Sequence, residues 1–256
     1  MRQIIKSKEP KSLASYRKKR GAKFGNDDMP KDELRASLIK DQGYICCYCM
    51  KRITLQDDAT TNTKIEHFKP QSIYDGTNGN PDLTLKYSNL FLACKGEGVD
   101  DNDKKCNCCD SEKLHKELMF VDLLDKSIED KLRYSADGFM YSNPQYINCD
   151  PQIFTNTDNI NGTEEWCLDA DLNVTLNLNN QSLKKERKNV YDAVLQVIHS
   201  VVKKQKNVLP SLNRLRREWY EKYEEDGRMM FKPFCMVAVY LIDKYIKKQE
   251  AKQSHS

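Results

Sequence analysis

Hydrophobic and polar positions change their rhythm several times along the chain. From Met1 to about Phe24 the apolar residues follow no period and basic ones dominate, which predicts an extended arm that packs on later segments or reaches toward a phosphate backbone. From about Pro30 to Gln42, Leu34 and Leu38 share a helical face. Asp28 as N-cap, Pro30 in the first turn, Asp32 and Glu33 at the positive end and Gly43 as the stop complete a helix signature. The polar run Ile53 to Thr63 predicts a loop, and Thr63 to Phe68 predicts a strand ending at Pro70, which cannot donate to a ladder. Tyr74 to Asp82, with Asp75-Gly76 and Asn78-Gly79-Asn80-Pro81, predicts a surface loop, and Leu85 to Cys94 a returning element. Lys95 to Lys105 is a polar insertion, and Cys109 to Phe120, with Leu114 and Leu118 four apart, predicts a helix.

Beyond this point the pattern becomes mainly helical. Lys131 to Tyr134 and Phe139 to Tyr141 flank Ser135-Ala136-Asp137-Gly138, a hairpin signal, and Thr163 to Leu178 predicts a further strand. Ser182 to Lys206 carries Leu183, Val190, Val194, Val197, Ile198 and Val201 on one stripe, and helices over Pro210 to Glu225 and Phe234 to Lys248 follow. The expected architecture is α+β. It divides into an arm and lead-in helix over 1–43, a small region over 44–120, and a hairpin with a helical, partner-binding region over 121–256. No internal repeat or low-complexity segment is present.

Composition narrows the class. With 39% hydrophobic and 31% charged residues and a mean hydropathy of -0.78, the 256-residue chain is expected to be soluble and folded around a modest core. No apolar run approaches the roughly 20 residues of a bilayer span, and the first residues hold no apolar signal core, so a cytosolic, non-membrane protein is expected. A net charge of +4 permits a nucleic-acid partner without arguing for one. The patches Arg17-Lys18-Lys19-Arg20, Lys184-Lys185-Glu186-Arg187-Lys188 and Arg214-Leu215-Arg216-Arg217 could meet phosphates or form solvated helix faces.

The chemistry gathers between Tyr44 and His115, where seven of the ten cysteines fall. In a reducing compartment Cys-x-x-Cys spacing favours metal ligation over disulfides. Cys46 and Cys49, with Cys94 and one of Cys106, Cys108 or Cys109, make a four-thiolate site that suits structural Zn²⁺. Cys109 is favoured as the fourth ligand because it directly precedes the helix of Asp110 and Lys113. His67 is the candidate general base, its ordinary pKa lying near neutrality. Glu66 and Asp110 offer hard oxygens to a catalytic Mg²⁺ or Mn²⁺. Consecutive strand residues point to opposite faces, so joint use of Glu66 and His67, which sits at a strand end, predicts that the strand ends or bulges there. Asn89 could brace the loop that holds His67 or merely cap a turn, and Lys113 could contact a phosphate or pair on the surface with Asp110 or Glu112. His115 is expected to be an exposed helix residue, His199 a core or interface histidine, and His255 part of a tail. Cys149, Cys167 and Cys235 are scattered, as buried free thiols are.

The ordered set Cys46-Cys47-Tyr48-Cys49, Ile65-Glu66-His67-Phe68-Lys69-Pro70, Tyr87-Ser88-Asn89-Leu90, Cys94-Lys95-Gly96 and Cys109-Asp110-Ser111-Glu112-Lys113 resembles the HNH nuclease family of PtuB. That family is the nuclease subunit of Septu-type bacterial antiphage systems and accompanies certain retrons. The opening Glu9 to Arg17, the Leu176-Asn177-Leu178-Asn179 segment before Leu183 and Arg187, and Lys232-Pro233-Phe234 are similar to it as well, so the resemblance covers most of the chain. It implies a zinc-stapled, treble-clef-like ββα-metal core, a helical C-terminal region and a PtuA-like ATPase partner. In a retron the reverse transcriptase and its msDNA join the control. It further implies that Glu66 binds the catalytic metal, that His67 is the base, that Asn89 orients the site and that Asp110 stands where many HNH proteins carry His or Asn. That Asp and the long Lys95 to Lys105 interval depart from the generic pattern. DNA is the substrate the family favours, with structured RNA such as tRNA second. The contrasting expectation is a non-catalytic zinc-stapled module that binds a protein or a nucleic acid.

Overall fold

The computed structural model describes residues 1–55, 62–77, 79–154, 162–204 and 208–254. They form a mixed α+β structure with four two-stranded antiparallel sheets among the described residues and a helical C-terminal region. Part of the expected polar loop after Ile53, Asn78, the last residues of the expected Ser182 to Lys206 helix and His255 lie outside the described residues.

The basic arm does not extend away from the molecule. Its Ile4 N–H donates to the Leu123 carbonyl at 2.8 Å and its Gln3 N–H to Glu129 Oε1 at 3.0 Å, while Met1 and Ile4 are buried. A short helix α1 (Lys11–Tyr16), which the unperiodic sequence does not announce, buries Leu13 and Tyr16. Helix α2 (Lys31–Asp41) buries Leu34, Leu38 and Ile39. Pro30 occupies its N-cap position without a side-chain cap, and Asp28 pairs with Lys19 at 2.9 Å instead. After it Gly43 takes φ +56°, and a Cβ there would lie 2.4 Å from a ring carbon of Phe231, so only glycine fits.

Strand β1 (Thr63–His67) pairs antiparallel with β2 (Leu90–Cys94), whose five residues are all buried. The polar insertion folds as a hairpin of β3 (Glu97–Val99) and β4 (Lys105–Asn107). The helix expected over Cys109 to Phe120 is only one turn, α3 (Asp110–Lys113). It stops because Leu114 turns to φ 51° and the N–H groups of Met119, Phe120 and Val121 are taken by the Asp171 carboxylate at 2.9, 2.8 and 3.0 Å. Leu114 is consequently 63% exposed and does not share a stripe with the buried Leu118.

Helix α4 (Ser127–Lys131) leads into the hairpin of β5 (Arg133–Tyr134) and β6 (Met140–Tyr141), which turns at Gly138 with φ 85°. The strand expected over Thr163 to Leu178 is instead helix α5 (Glu164–Ala170) followed by a wider π-turn over Asp171–Thr175. Thr163 caps that helix by accepting the Trp166 N–H at 3.3 Å, and Glu164 and Glu165 complement its positive end.

Helices α6 (Gln181–Lys204), α7 (Val208–Tyr220) and α8 (Cys235–Gln253) complete the chain. Helix α7 ends earlier than the periodicity suggests because Asp226 and Gly227, both at positive φ, turn a hairpin of β7 (Tyr223–Glu225) and β8 (Arg228–Met230). One hydrophobic cluster joins Met1 and Ile4 of the arm, Leu34 and Leu38 of α2, Leu90 to Leu92 of β2 and Val237 and Val239 of α8. A second packs Val194 and Ile198 of α6 against Leu212 of α7 and Ile242 and Ile246 of α8. His199 is not in that core; it is exposed, with Nε2 3.1 Å from the Tyr245 hydroxyl. Among the described residues no helix is long and apolar enough to cross a membrane.

Candidate functional site

The Sγ atoms of Cys46, Cys49, Cys94 and Cys109 all lie within 4.8 Å of one another, and all four residues are buried. Cys46 to Cys109 spans 3.9 Å, Cys49 to Cys94 3.8 Å and Cys94 to Cys109 3.7 Å. A tetrahedron with Zn–S bonds of about 2.3 Å has edges of about 3.8 Å, which these three distances match, so the four sulfurs could hold one zinc ion. Three stretches deliver them. Cys46 and Cys49 lie on the turn after α2, closed by Met50 N–H to the Cys46 carbonyl at 3.1 Å, and Met50 takes φ 64° to make it. Cys94 ends β2, and its N–H donates to Cys46 Sγ at 3.3 Å.

Cys109 precedes α3 with φ 56° and ψ -137°, a conformation L-residues rarely adopt. It is held there by its N–H to the Leu176 carbonyl at 2.8 Å and by the cluster itself. Gly96 lets the two knuckles close: a Cβ at its φ of +75° would sit 2.2 Å from the Cys108 carbonyl oxygen. Cys106, half-buried on β4, is not in the four-sulfur group, nor is Cys108, and neither is the exposed His115.

A second polar cluster lies beside the sulfurs. Glu66, 2% exposed, receives the Tyr48 hydroxyl on Oε1 at 2.6 Å and the Lys113 ammonium on the same oxygen at 2.8 Å. It also shares a side-chain hydrogen bond with Asp110. Burial first, then that carboxyl neighbour, push the Glu66 pKa up to about 8 against the opposing pull of Lys113. Lys113 is fully buried, and its Nζ also donates to the His67 carbonyl at 3.0 Å. The surface pairing with Glu112 considered from the sequence is therefore absent, and the ammonium links α3 to the end of β1.

His67 follows Glu66 in unbroken register, pairing with Leu90 as Glu66 pairs with Phe91. The expected irregularity takes the form of a strand end, since β1 stops at His67 without a bulge, and the two side chains meet different neighbours. The His67 ring stands edge-on to Phe24 with centroids 4.3 Å apart, and its Nε2 lies 3.0 Å from the Thr84 carbonyl. A carbonyl only accepts, so Nε2 carries the proton and Nδ1 keeps its lone pair. Burial lowers the His67 pKa below its ordinary value, which keeps the ring neutral at neutral pH. Asn89, immediately before β2, accepts the Lys69 N–H at 2.7 Å and donates to the Lys69 and Leu83 carbonyls at 3.0 and 3.1 Å. One buried amide thus fixes both the segment after His67 and the segment before β2.

Sequence reasoning did not single out Tyr48, Thr84 or Phe24. Tyr48 lies within the Cys-x-x-Cys turn and is fully buried, which the spacing alone does not announce. Phe24 and Thr84 reach the site only through tertiary packing. Comparison with known proteins gives no match to any protein-family model, and none to a curated protein sequence.

Proposed function

We propose that the chain is a metal-dependent endonuclease of the HNH type, with β1, β2 and α3 as its ββα-metal unit, hydrolysing phosphodiester bonds of nucleic acid. The observation that carries this reading is the His67 ring. Its Nε2–H is committed to the Thr84 carbonyl at 3.0 Å, which leaves Nδ1 as a base, on the strand that also presents a buried carboxyl paired with Asp110.

Each residue then has a task. His67 Nδ1 takes the proton of the attacking water. Asn89 holds the segment after His67 still, and Lys113 ties the His67 carbonyl to Glu66, so imidazole and carboxyls keep a fixed separation. Glu66 and Asp110 would hold the divalent cation. Mg²⁺ or Mn²⁺, when bound, supplies positive charge for the phosphoryl oxygens and the departing 3′ oxygen. The four cysteines, with zinc, keep β1, β2 and α3 in register. The resemblance to the PtuB family adds the setting: an antiphage effector working with a PtuA-like ATPase and, in a retron, with msDNA and its reverse transcriptase, on DNA in preference to tRNA.

A second reading has one observation in its favour. Phe24 covers one edge of His67, and Lys113 already neutralises Glu66, as a zinc-stapled binding module with no chemistry would tolerate. Cleavage of DNA and of total RNA with Mg²⁺ or Mn²⁺ separates the two. The wild-type chain is expected to cut one of these substrates, and His67→Ala to lose about 10²-fold or more of that rate while keeping its zinc and its circular-dichroism spectrum. A His67→Ala rate equal to wild type removes the imidazole from the mechanism.

A further inference from the structure

A cleft of about 580 Å³ opens between the N-terminal arm, the end of α2 and the β7–β8 hairpin, lined by Arg2, Lys6, Lys40, Lys126 and Lys222 against Asp41 and Glu129. Its cations have few carboxylate partners, although Lys6 donates to the Leu90 carbonyl and Lys222 to the Lys40 carbonyl. Among the described residues Arg2, Lys6, Lys40 and Lys222 make no ion pair, while Glu129 is engaged by Lys126 at 3.7 Å and by the Tyr220 hydroxyl at 3.0 Å, and Asp41 by the Tyr87 hydroxyl at 2.6 Å. The surplus in the cleft is therefore positive.

Arg2 is the centre of the site. Its guanidinium lies between two rings, 4.2 Å from the Tyr220 centroid and 3.9 Å from that of Phe231, and its polar neighbours are sulfurs, Met236 at 3.7 Å from Nη1 and the Cys235 thiol. The rings fix the plane of the fork and leave its donors without an oxygen. A planar fork held in advance and lacking a carboxylate suits a phosphate, since little side-chain freedom is lost on binding. Lys222, whose ammonium lies 5.2 Å from the Phe231 ring centroid and feels the Asp41 carboxylate, and Lys40 add charge without an ion pair among the described residues.

On one side the cleft shares Lys126, Glu129 and Tyr220 with a second cleft of about 430 Å³, where Arg133, Lys244 and Lys247 again make no ion pair among the described residues. That second cleft also holds Asp130 and Asp243, the latter paired with Arg216. Cations in excess of carboxylates along two adjoining clefts match a repeating anion. An acidic peptide would need an apolar anchor, and Ile5 is the one large exposed apolar side chain lining the first two clefts among the described residues.

We propose that the cleft around Arg2 is a phosphate-binding site for a single strand of nucleic acid. This deepens the nuclease reading, on which its role in substrate binding rests, although strand binding itself can be measured apart from cleavage.

The test uses the full zinc-loaded chain carrying His67→Ala, without added Mg²⁺, and a fluorescent 20-nucleotide single strand. Adding Arg2→Gln, or separately Lys40→Gln with Lys222→Gln, is expected to weaken binding about tenfold at moderate salt and to flatten the log–log salt slope by about 0.7 for each phosphate no longer neutralised. Lys104→Gln, Lys185→Gln and Lys203→Gln together, exposed positions outside these clefts, are expected to change affinity less than threefold. Losses as large in that control overturn the site, as does unchanged binding in both cleft variants. ATP binding more tightly than the strand would identify a free nucleotide as the occupant, and polyglutamate binding equally well would reduce the cleft to unspecific charge; either result overturns the proposal. Strand binding that depends on Arg2 in a protein that cuts nothing would leave the site standing and remove the nuclease reading alone.

Discussion

Lys6 places its ammonium 4.7 Å from the Tyr87 ring centroid and 4.0 Å from that of Phe91, and donates to the Leu90 carbonyl. Burial nonetheless lowers its pKa from 10.5 to about 8. The unfolded chain holds this proton more tightly than the folded one, so the cost of the buried charge is fully present below pH 8 and fades as pH rises toward 10.5. That cost has a ceiling of about 3 kcal/mol, which the ring faces and the carbonyl reduce. Lys6→Met is therefore expected to stabilise the protein at pH 7 by about 1–2 kcal/mol and to do so progressively less by pH 10. Urea titrations of both proteins at the two pH values check this, and an offset independent of pH would refute it. None of this was legible in the sequence, where Lys6 is one basic residue of an unperiodic arm. The knuckle cysteines were legible, because Cys46 and Cys49 need only local chain geometry to face one ion.

At the scale of elements, legibility followed the range of the forces. Helices α2, α6 and α8 were readable from period and composition because each buries apolar residues that its own sequence carries, although Val197 of the expected α6 stripe is exposed and α8 is buried on more than one face. The segment after Cys109 misled, since Asp171 captures three backbone N–H groups that a longer α3 would have used, and that partner lies some 50 positions away. The same carboxylate follows helix α5, which stands where a strand was expected because Thr163 caps it and Glu164 and Glu165 suit its first turn. The four-sulfur geometry turns the choice of fourth ligand into a prediction. Cys109→Ser is expected to lose the one equivalent of zinc and to broaden the amide spectrum of β1, β2 and α3, whereas Cys106→Ser keeps metal and spectrum. Zinc analysis with a two-dimensional NMR spectrum reads both, and the opposite pattern would move the ligand onto β4.

Across the whole molecule, Arg187 holds distant parts together from the interior of α6. Its Nε donates to the Gly138 carbonyl at 2.6 Å, and Nη2 to the Leu178 carbonyl at 2.8 Å and to Asn179 Oδ1 at 2.9 Å, while Nη1 has no hydrogen-bond partner among the described residues. It clamps the β5–β6 turn and the segment whose Leu176 carbonyl steadies Cys109. Arg187→Met is expected to cost about 3–5 kcal/mol, because buried acceptors lose their donor. Thermal unfolding measures the loss, and a drop below about 1 kcal/mol would show that the guanidinium contributes little. The arm described first meets the helix described last: Arg2 reaches the Met236 sulfur at 3.7 Å, and the Phe234 N–H closes on the Met50 carbonyl at 3.1 Å. On the ribosome the residues made at the outset must therefore wait for those made near the finish. A nascent chain has its knuckle cysteines long before it has the wall they lean on, so a truncated product lacking α8 would leave the ribosome with its sulfur cluster unsealed.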